Sequence, residues 1–190
     1  MRYKTGYKEE KRKELLKISA QLAKKQGFAN TGVDSFMQAA QMTSGAFYSH
    51  FSSKHELFEA LIESELQHSF QAWQANPHEK LSDWIDFELD RYLAFSHVLR
   101  PDHGCVIPAL ATEVARSSES TKQCFQQEML RGHALFTQHL GSETQAWAVL
   151  CQLVGAIVMA RSMADEHLQH EILNSSKWMI KNMLQLKQSE

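Results

Sequence analysis

The stretch running from Thr43 through Ser44, Gly45, Ala46, Phe47, Tyr48, Ser49, His50, Phe51, Ser52 and Ser53 to Lys54 concentrates groups that can meet a phosphate. The hydroxyls of Thr43, Ser44, Tyr48 and Ser49, the imidazole of His50 and the ammonium of Lys54 all donate hydrogen bonds of the kind that hold a protein to a nucleic-acid backbone. Gly45 and Ala46 are small enough to let the chain approach a duplex closely. Phe47 and Phe51, four residues apart, belong on one helical face turned inward, with Tyr48 facing away from Phe47.

Other constellations offer less. Cys105, Cys124 and Cys151 are too widely spaced for a CxxC pair, and their odd number argues against a disulfide framework. Cys105 follows Gly104 near His103 and a predicted helix start, a setting that favours a thiolate. The plainer reading of Cys105 is a small buried apolar residue, and Cys151, within an apolar helix, reads as inert core. His167 and His170 are three apart, yet no carboxylate or cysteine set completes a metal site, and His133 and His139 share no helical face. No metal or cofactor is expected. GxSxG, HExxH, phosphate-loop and dinucleotide signatures do not occur, and the serines of Arg116 to Ser120 read as a helix junction, so no enzyme is expected.

Charge is divided along the chain. Residues 1–60 hold ten Lys/Arg against six Asp/Glu, a net of +4, while residues 61–190 hold ten against sixteen, a net of −6. A basic front on an acidic body suits a chain whose first part alone meets a polyanion. The run Arg2, Lys4, Lys8, Lys11, Arg12 and Lys13 is either a solvated tail or an arm for the DNA backbone or minor groove. No apolar run reads as long and charge-poor enough to span a bilayer, and the first residues lack a signal-peptide segment. A cytoplasmic protein without a membrane partner is expected.

With three prolines, eight glycines and apolar spacings of three and four, the chain reads as helical nearly throughout. Predicted helices cover Lys8 to Gln26, ended by Gly27, and Val33 to Ala40. After a turn at Gln41 to Thr43, a short helix covers Ser44 to His50. Ser53 and Glu56 form a capping box that opens a helix from Lys54 to Ala75. Leu81 to Arg100, His103 to Ala115 and Ser120 to Leu140 follow. The helices of residues 143–163 and 168–186 carry spare apolar faces, with a seam of Ala146, Leu150, Leu153 and Ile157 answered by Ile172, Met179 and Met183. That pair predicts a homodimer joined as a four-helix bundle, the alternative being intrachain core alone.

Two short helices joined by a tight turn are a helix-turn-helix, whose second helix enters the major groove. The residues Gly27-Phe28, Thr31, Val33, Ala39-Ala40 and the run from Gly45 to Phe58 closely resemble the N-terminal DNA-binding domain of TetR-family transcriptional regulators, over about Glu10 to Leu61. Phe36, Met37 and Met42 depart mildly from the family's usual residues at inward positions. The segment His103-Gly104-Cys105 with Glu113 resembles a sixth-helix region found in part of the family, and Gly155 to Arg161 with Asp165 resembles the eighth.

The resemblance implies an all-α protein of nine to ten helices. Residues 1–54 would form the DNA-binding domain and residues 55–190 a ligand-binding and dimerisation domain. It implies DNA contacts by Thr31, Thr43, Ser44, Gly45, Ala46, Tyr48, Ser49, His50 and Lys54. The partners implied are double-stranded operator DNA, a second copy of the chain and a small-molecule effector. Trp73, Trp84, Phe87, Phe95, Cys105, Phe125, Phe136 and Trp147 are candidate pocket walls, suited to a hydrophobic or aromatic effector. The expected function is a homodimeric repressor released from its operator by that effector. Two alternatives are a thiol-sensing repressor acting through Cys105 and a helical interaction module without specific DNA binding, though the module leaves the basic front unexplained.

Overall fold

The computed structural model describes residues 6–186, in which nine α-helices and two 3₁₀ helices appear and no strand. The helices are α1 (Tyr7–Gln26), α2 (Val33–Ala39), α3 (Lys54–Gln74), α4 (Leu81–Tyr92), α5 (Phe95–Leu99), α6 (Ile107–Val114), α7 (Glu119–Leu140), α8 (Glu143–Arg161) and α9 (Glu166–Met183), with 3₁₀ helices at Ser44–Ser49 and Pro101–His103. Two compact units result: Met1–Gln67 with Pro101–Gln126, and His68–Arg100 with Gln127–Glu190. The first therefore takes a later segment of chain into the company of the N-terminal helices.

In the first unit, Leu15, Phe36, Met37, Phe47, Phe51, Leu57, Leu61 and Ile62 are almost wholly buried. Phe28 stacks on Phe36 at 5.2 Å between ring centroids and on Phe58 at 4.5 Å, so one aromatic column joins the α1–α2 turn, α2 and α3. Helix α1 ends as its glycine demands: Gly27 has φ +82, and its N–H returns to Ala23 O at 2.8 Å. After α2, Gln41 takes φ +55 and Met42 N–H reaches Met37 O at 2.9 Å, a left-handed stop made by a non-glycine residue.

The second unit is built on Trp84, which meets Phe136 edge-on at 5.0 Å and stacks on His139 at 4.2 Å. Trp73 meets the same Phe136 at 5.2 Å. Helices α8 and α9 begin with side-chain caps, Ser142 accepting from Gln145 N–H and Asp165 from Leu168 N–H. Lys177 and Lys181 then tie α9 to Asp90 and Asp86 of α4, at 2.9 and 2.8 Å.

Three expectations need correction. The predicted helix Leu81 to Arg100 is two helices, because Leu93 and Ala94 leave the helical path and His97 Nδ1–H donates to the freed Tyr92 carbonyl at 2.7 Å. The predicted helix His103 to Ala115 starts only at Ile107, with Pro108 in its first turn where the missing N–H costs nothing. By length and composition α8 is apolar enough to cross a membrane. Ala146, Val149, Leu150, Leu153, Ala156, Ile157 and Ala160 are nevertheless buried in the fold, and a core helix passes that test as readily.

Gly132, in the middle of α7, shows what the second core tolerates. A Cβ there would lie 2.6 Å from the Trp73 ring, which is itself held against Phe136. Gly132→Ala gains about 1 kcal/mol in helix propensity but must displace a packed indole, at roughly 1–3 kcal/mol. The expected net result in thermal or urea unfolding is a loss of stability of up to about 2 kcal/mol.

Candidate nucleic-acid interface

The recognition segment is a 3₁₀ helix of six residues, Ser44–Ser49, and its position comes from two aromatic side chains. Phe47 is fully buried and Phe51 nearly so, their centroids 6.0 Å apart. Tyr48 meets the Phe47 ring edge-on at 5.3 Å yet is 73% exposed, so its hydroxyl end faces outward. Thr43, Ser44, Gly45 and Ser49 are exposed, with Ala46 and His50 half-buried. Ser49 Oγ donates to Ala46 O at 2.7 Å, closing the helix on itself. Seven predicted contact residues thus share one short stretch.

Arg12 holds the far end of this helix. Its Nε donates to His50 O at 3.2 Å, its guanidinium lies 4.3 Å from the Phe51 ring centroid, and a terminal nitrogen is 3.5 Å from Glu56. An arginine read as part of a charged tail is thereby a fastening between α1 and the recognition segment. Lys11 pairs with Glu14, Lys8 and Lys13 are exposed, and Arg2 and Lys4 lie outside the described residues.

The start of α3 is a variant of the predicted capping box. Ser53 Oγ accepts from Glu56 N–H at 3.1 Å, while the Glu56 carboxylate reaches back one residue further, to Ser52 N–H and Ser52 Oγ, each at 2.7 Å. Those two bonds to Ser52, helped by Arg12, hold the Glu56 carboxyl below its ordinary pKa. At His50, burial and the charges of Lys8 and Arg12 push the imidazole below its usual pKa, favouring the neutral ring. Its Nδ1 is enclosed without a hydrogen-bond partner, so Nε2 is the nitrogen able to reach outward.

Two predicted contacts are engaged within the protein. Thr31 is buried and its hydroxyl donates to Gly27 O at 2.7 Å, so a phosphate contact requires that bond to be exchanged. Lys54 Nζ donates to Ala29 O at 3.0 Å and stands 5.0 Å from the Phe28 ring centroid. Both residues knit the helix-turn-helix together from the side of the α1–α2 turn.

The candidate effector walls are divided between the two units. Cys105 and Phe125 belong to the first unit, and the other six residues to the second. Trp73, Trp84 and Phe136 are packed core, whereas Phe87 is 38% and Trp147 40% exposed, Trp147 stacking on His133 at 4.3 Å, and Phe95 is half-buried against His170 at 4.1 Å. Cys105 is half-buried, and Cys151 is exposed rather than inert core.

The predicted seam on α8 is turned inward. Ala146, Leu150, Leu153 and Ile157 face into their own chain, because this side of α8 covers the core of the second unit. The apolar side left outward comprises Trp147, Cys151, Val158 and Met159, continued on α9 by Trp178 and Met179, each 53% exposed. Met179 is exposed, and Ile172 and Met183 are half-buried.

Among the described residues, no group of three or more His, Cys, Asp or Glu could hold a metal ion. Ser118, His55 and Glu59 resemble a catalytic relay only in composition. Ser118 Oγ lies 3.0 Å and Glu59 3.9 Å from the same Nε2 of His55, whereas a relay needs the carboxylate on Nδ1. Ser118 Oγ instead accepts from Thr121 N–H at the start of α7.

Residues 15–61 match the family model described as bacterial regulatory proteins, tetR family. Among solved structures, NemR of E. coli in its reduced form is similar at 23% identity, with 90% of this chain and 96% of that one covered and a TM-score of 0.74. A TetR-family transcriptional regulator from Agrobacterium tumefaciens gives 15% identity, coverages of 91% and 98% and a TM-score of 0.78. One from Cytophaga hutchinsonii gives 14%, 99% and 100%, and 0.80. At these identities the likeness is one of fold. No curated protein sequence matches the chain. The matched helix-turn-helix marks a DNA-binding transcriptional regulator, of a kind that is generally non-enzymatic. Residues 15–61 match the DNA-binding domain of the tetR family, and the chain shares the fold of the solved regulators above.

Because Glu56 has a depressed pKa in the folded protein, its stabilisation is complete above the ordinary carboxyl value and is lost as pH falls through the depressed one. Glu56→Gln should therefore be less stable than wild type at neutral pH, with the difference shrinking under acid, as read by circular dichroism across a pH series.

Proposed function

We propose that the protein is a homodimeric repressor whose Ser44–Ser49 helix reads the major groove of an operator, and whose grip is loosened by a small hydrophobic or aromatic effector. The observation that carries the reading is the division of the recognition segment into a buried Phe47–Phe51 side and an exposed side of Thr43, Ser44, Gly45, Tyr48 and Ser49. Tyr48 and His50 Nε2 serve the phosphates, while Thr43, Ser44 and Ala46 lie against base edges. Lys54 and Thr31 act chiefly from behind, holding the α1–α2 turn.

The homodimer is supported by the apolar outer side of α8 and α9. Trp147, Val158, Met159, Trp178 and Met179 are 40–53% exposed, more large apolar surface than a monomer leaves in one place without use. A second copy covers it with the same residues, giving a self-complementary interface and two recognition helices for two half-sites, about 34–36 Å apart. For the effector, support comes from the aromatic content of the second unit, where Phe87, Phe95 and Trp147 keep partly open rings. Release works only through the effector's different affinity for the DNA-binding and released forms, and a 100-fold loss of operator affinity needs about 2.7 kcal/mol of coupling.

The reading is tested by selecting duplexes from a random-sequence pool. A palindrome bound in the nanomolar range, with affinity falling steeply as salt rises, is the expected product, and binding confined to weak, sequence-independent association sinks the proposal. On the selected duplex, Tyr48→Phe should lower affinity about fivefold to tenfold for all sequences alike, the cost of one hydrogen bond. Changes at Thr43, Ser44 or Ala46 should alter which bases are preferred. Met159→Glu, which sets a charge on the outer apolar side, should give a folded monomer in light scattering where the wild type gives a dimer.

A further inference from the structure

The turn between α1 and α2 sends its backbone donors out to another element. Helix α1 ends at Gln26 and α2 begins at Val33. Inside the turn, Gly27 O accepts from Thr31 Oγ1 at 2.7 Å and Phe28 O from Thr31 N–H at 3.2 Å. The N–H groups of Phe28 and Ala29 instead donate to Oε1 and Oε2 of Glu113, at 2.9 and 2.7 Å. Glu113 stands on α6, some 84 residues further along the chain. The approach is close enough that a Cβ on Gly27 would lie 3.2 Å from Glu113 Oε1.

The same end of α1 is held twice more by the segment preceding α6. Lys24 is buried and its Nζ donates to Gly104 O at 2.9 Å and to Glu65 at 2.6 Å, while Lys25 pairs with Asp102 at 3.2 Å. Residues 102–113 therefore grip α1 and the turn at three points. Only the contact at Glu113 falls beyond the last residue of α1, on the path that leads to α2 and the recognition segment.

We propose that Glu113 is a positioning residue for DNA binding: by taking both N–H groups on its two carboxylate oxygens, it sets the direction in which α2 and the recognition helix leave α1. It touches no DNA in this role. The proposal rests on the operator reading above. A carboxylate that accepts two adjacent N–H groups holds a fixed angle as well as a distance, since rotating the turn lengthens at least one of two charge-assisted bonds. Helix α2 starts directly after Gly32, and the aromatic column of Phe28, Phe36 and Phe58 passes any rotation of the turn to the helices behind the recognition segment. Operator affinity then depends on the geometry of a residue on α6, which moves with that helix.

The test pairs residue-resolved amide exchange with DNA binding for the wild-type protein, Glu113→Gln and Glu113→Asp, on the duplex that the wild type selects from a random-sequence pool. In Glu113→Gln the amides of Phe28 and Ala29 should exchange at least about tenfold faster, while those inside α1 and α2 keep their protection. Operator affinity should fall about tenfold, the scale of one charge-assisted hydrogen bond. The slope of log affinity against log salt should not change, because no phosphate contact is lost. Glu113→Asp keeps the charge on a shorter arm and should be intermediate in both readouts, and it decides the matter if the Gln variant does not fold. Wild-type affinity in a variant whose two amides are freed overturns the proposal, as does a reduced salt slope or continued protection of both amides in the Gln variant. A wild-type protein that selects no duplex overturns the operator reading itself.

Discussion

A six-residue 3₁₀ helix has too few internal hydrogen bonds to persist alone, so everything the recognition segment can do depends on the burial of Phe47. That side chain contributes on the order of 2 kcal/mol by leaving water, which is comparable to the cost of fixing a residue or two of backbone. The remainder must come from neighbours. Phe51 extends the buried side, Arg12 closes on His50 O, and Ser52 is bound by Glu56, so the C-terminal end of the segment is fastened by groups outside it. The exposed donors are thus held by a scaffold to which they contribute almost nothing. Substitutions on the outer side can change what is recognised with little effect on folding.

The first unit shows the same economy at its other turn. A helix-turn-helix needs a fixed angle between its parent helix and its first short helix, yet the α1–α2 turn contains a positive-φ glycine and sends two N–H groups outward. The partners arrive from α6 and α3: the Glu113 carboxylate accepts from the turn's two N–H groups, and the Lys54 ammonium donates to the Ala29 carbonyl. A later segment of chain is therefore structurally part of the DNA-binding unit, and the contact-defined units do not follow a cut at residue 54.

Much of this was legible in the amino-acid pattern, for reasons that are local. Glycine at position 27, the serine and glutamate at 53 and 56, and aromatics spaced by four residues all act within about one helical turn, and the structure follows that logic except that Glu56 reaches back to Ser52 in place of Ser53. Contacts between residues far apart in the chain were hidden. Nothing near Glu113 marks it as the acceptor for Phe28 and Ala29, and nothing around Gly132 announces the indole that needs its missing side chain. Helix α8 failed for a different reason. With apolar residues on most sides, its pattern carries too little asymmetry to say which side meets the chain itself, and Leu150 and Ile157 fell inward while Trp147 and Met159 stayed out. The break at Leu93 was likewise unsignalled, since leucine and alanine favour helix and the chain is turned there by His97 capping the Tyr92 carbonyl.

The distribution of indoles carries one more consequence. All four tryptophans, at positions 73, 84, 147 and 178, fall in the second unit, and the DNA-binding unit has none. Trp73 and Trp84 are enclosed, whereas Trp147 and Trp178 are 40% and 53% exposed, so the chromophores sample both buried and open surroundings. The protein therefore carries a built-in optical reporter with a defined field of view. Its indole emission, excited beyond the tyrosine band, follows the helices around Phe136 and the outer side of α8 and α9, while the proposed recognition surface contributes none.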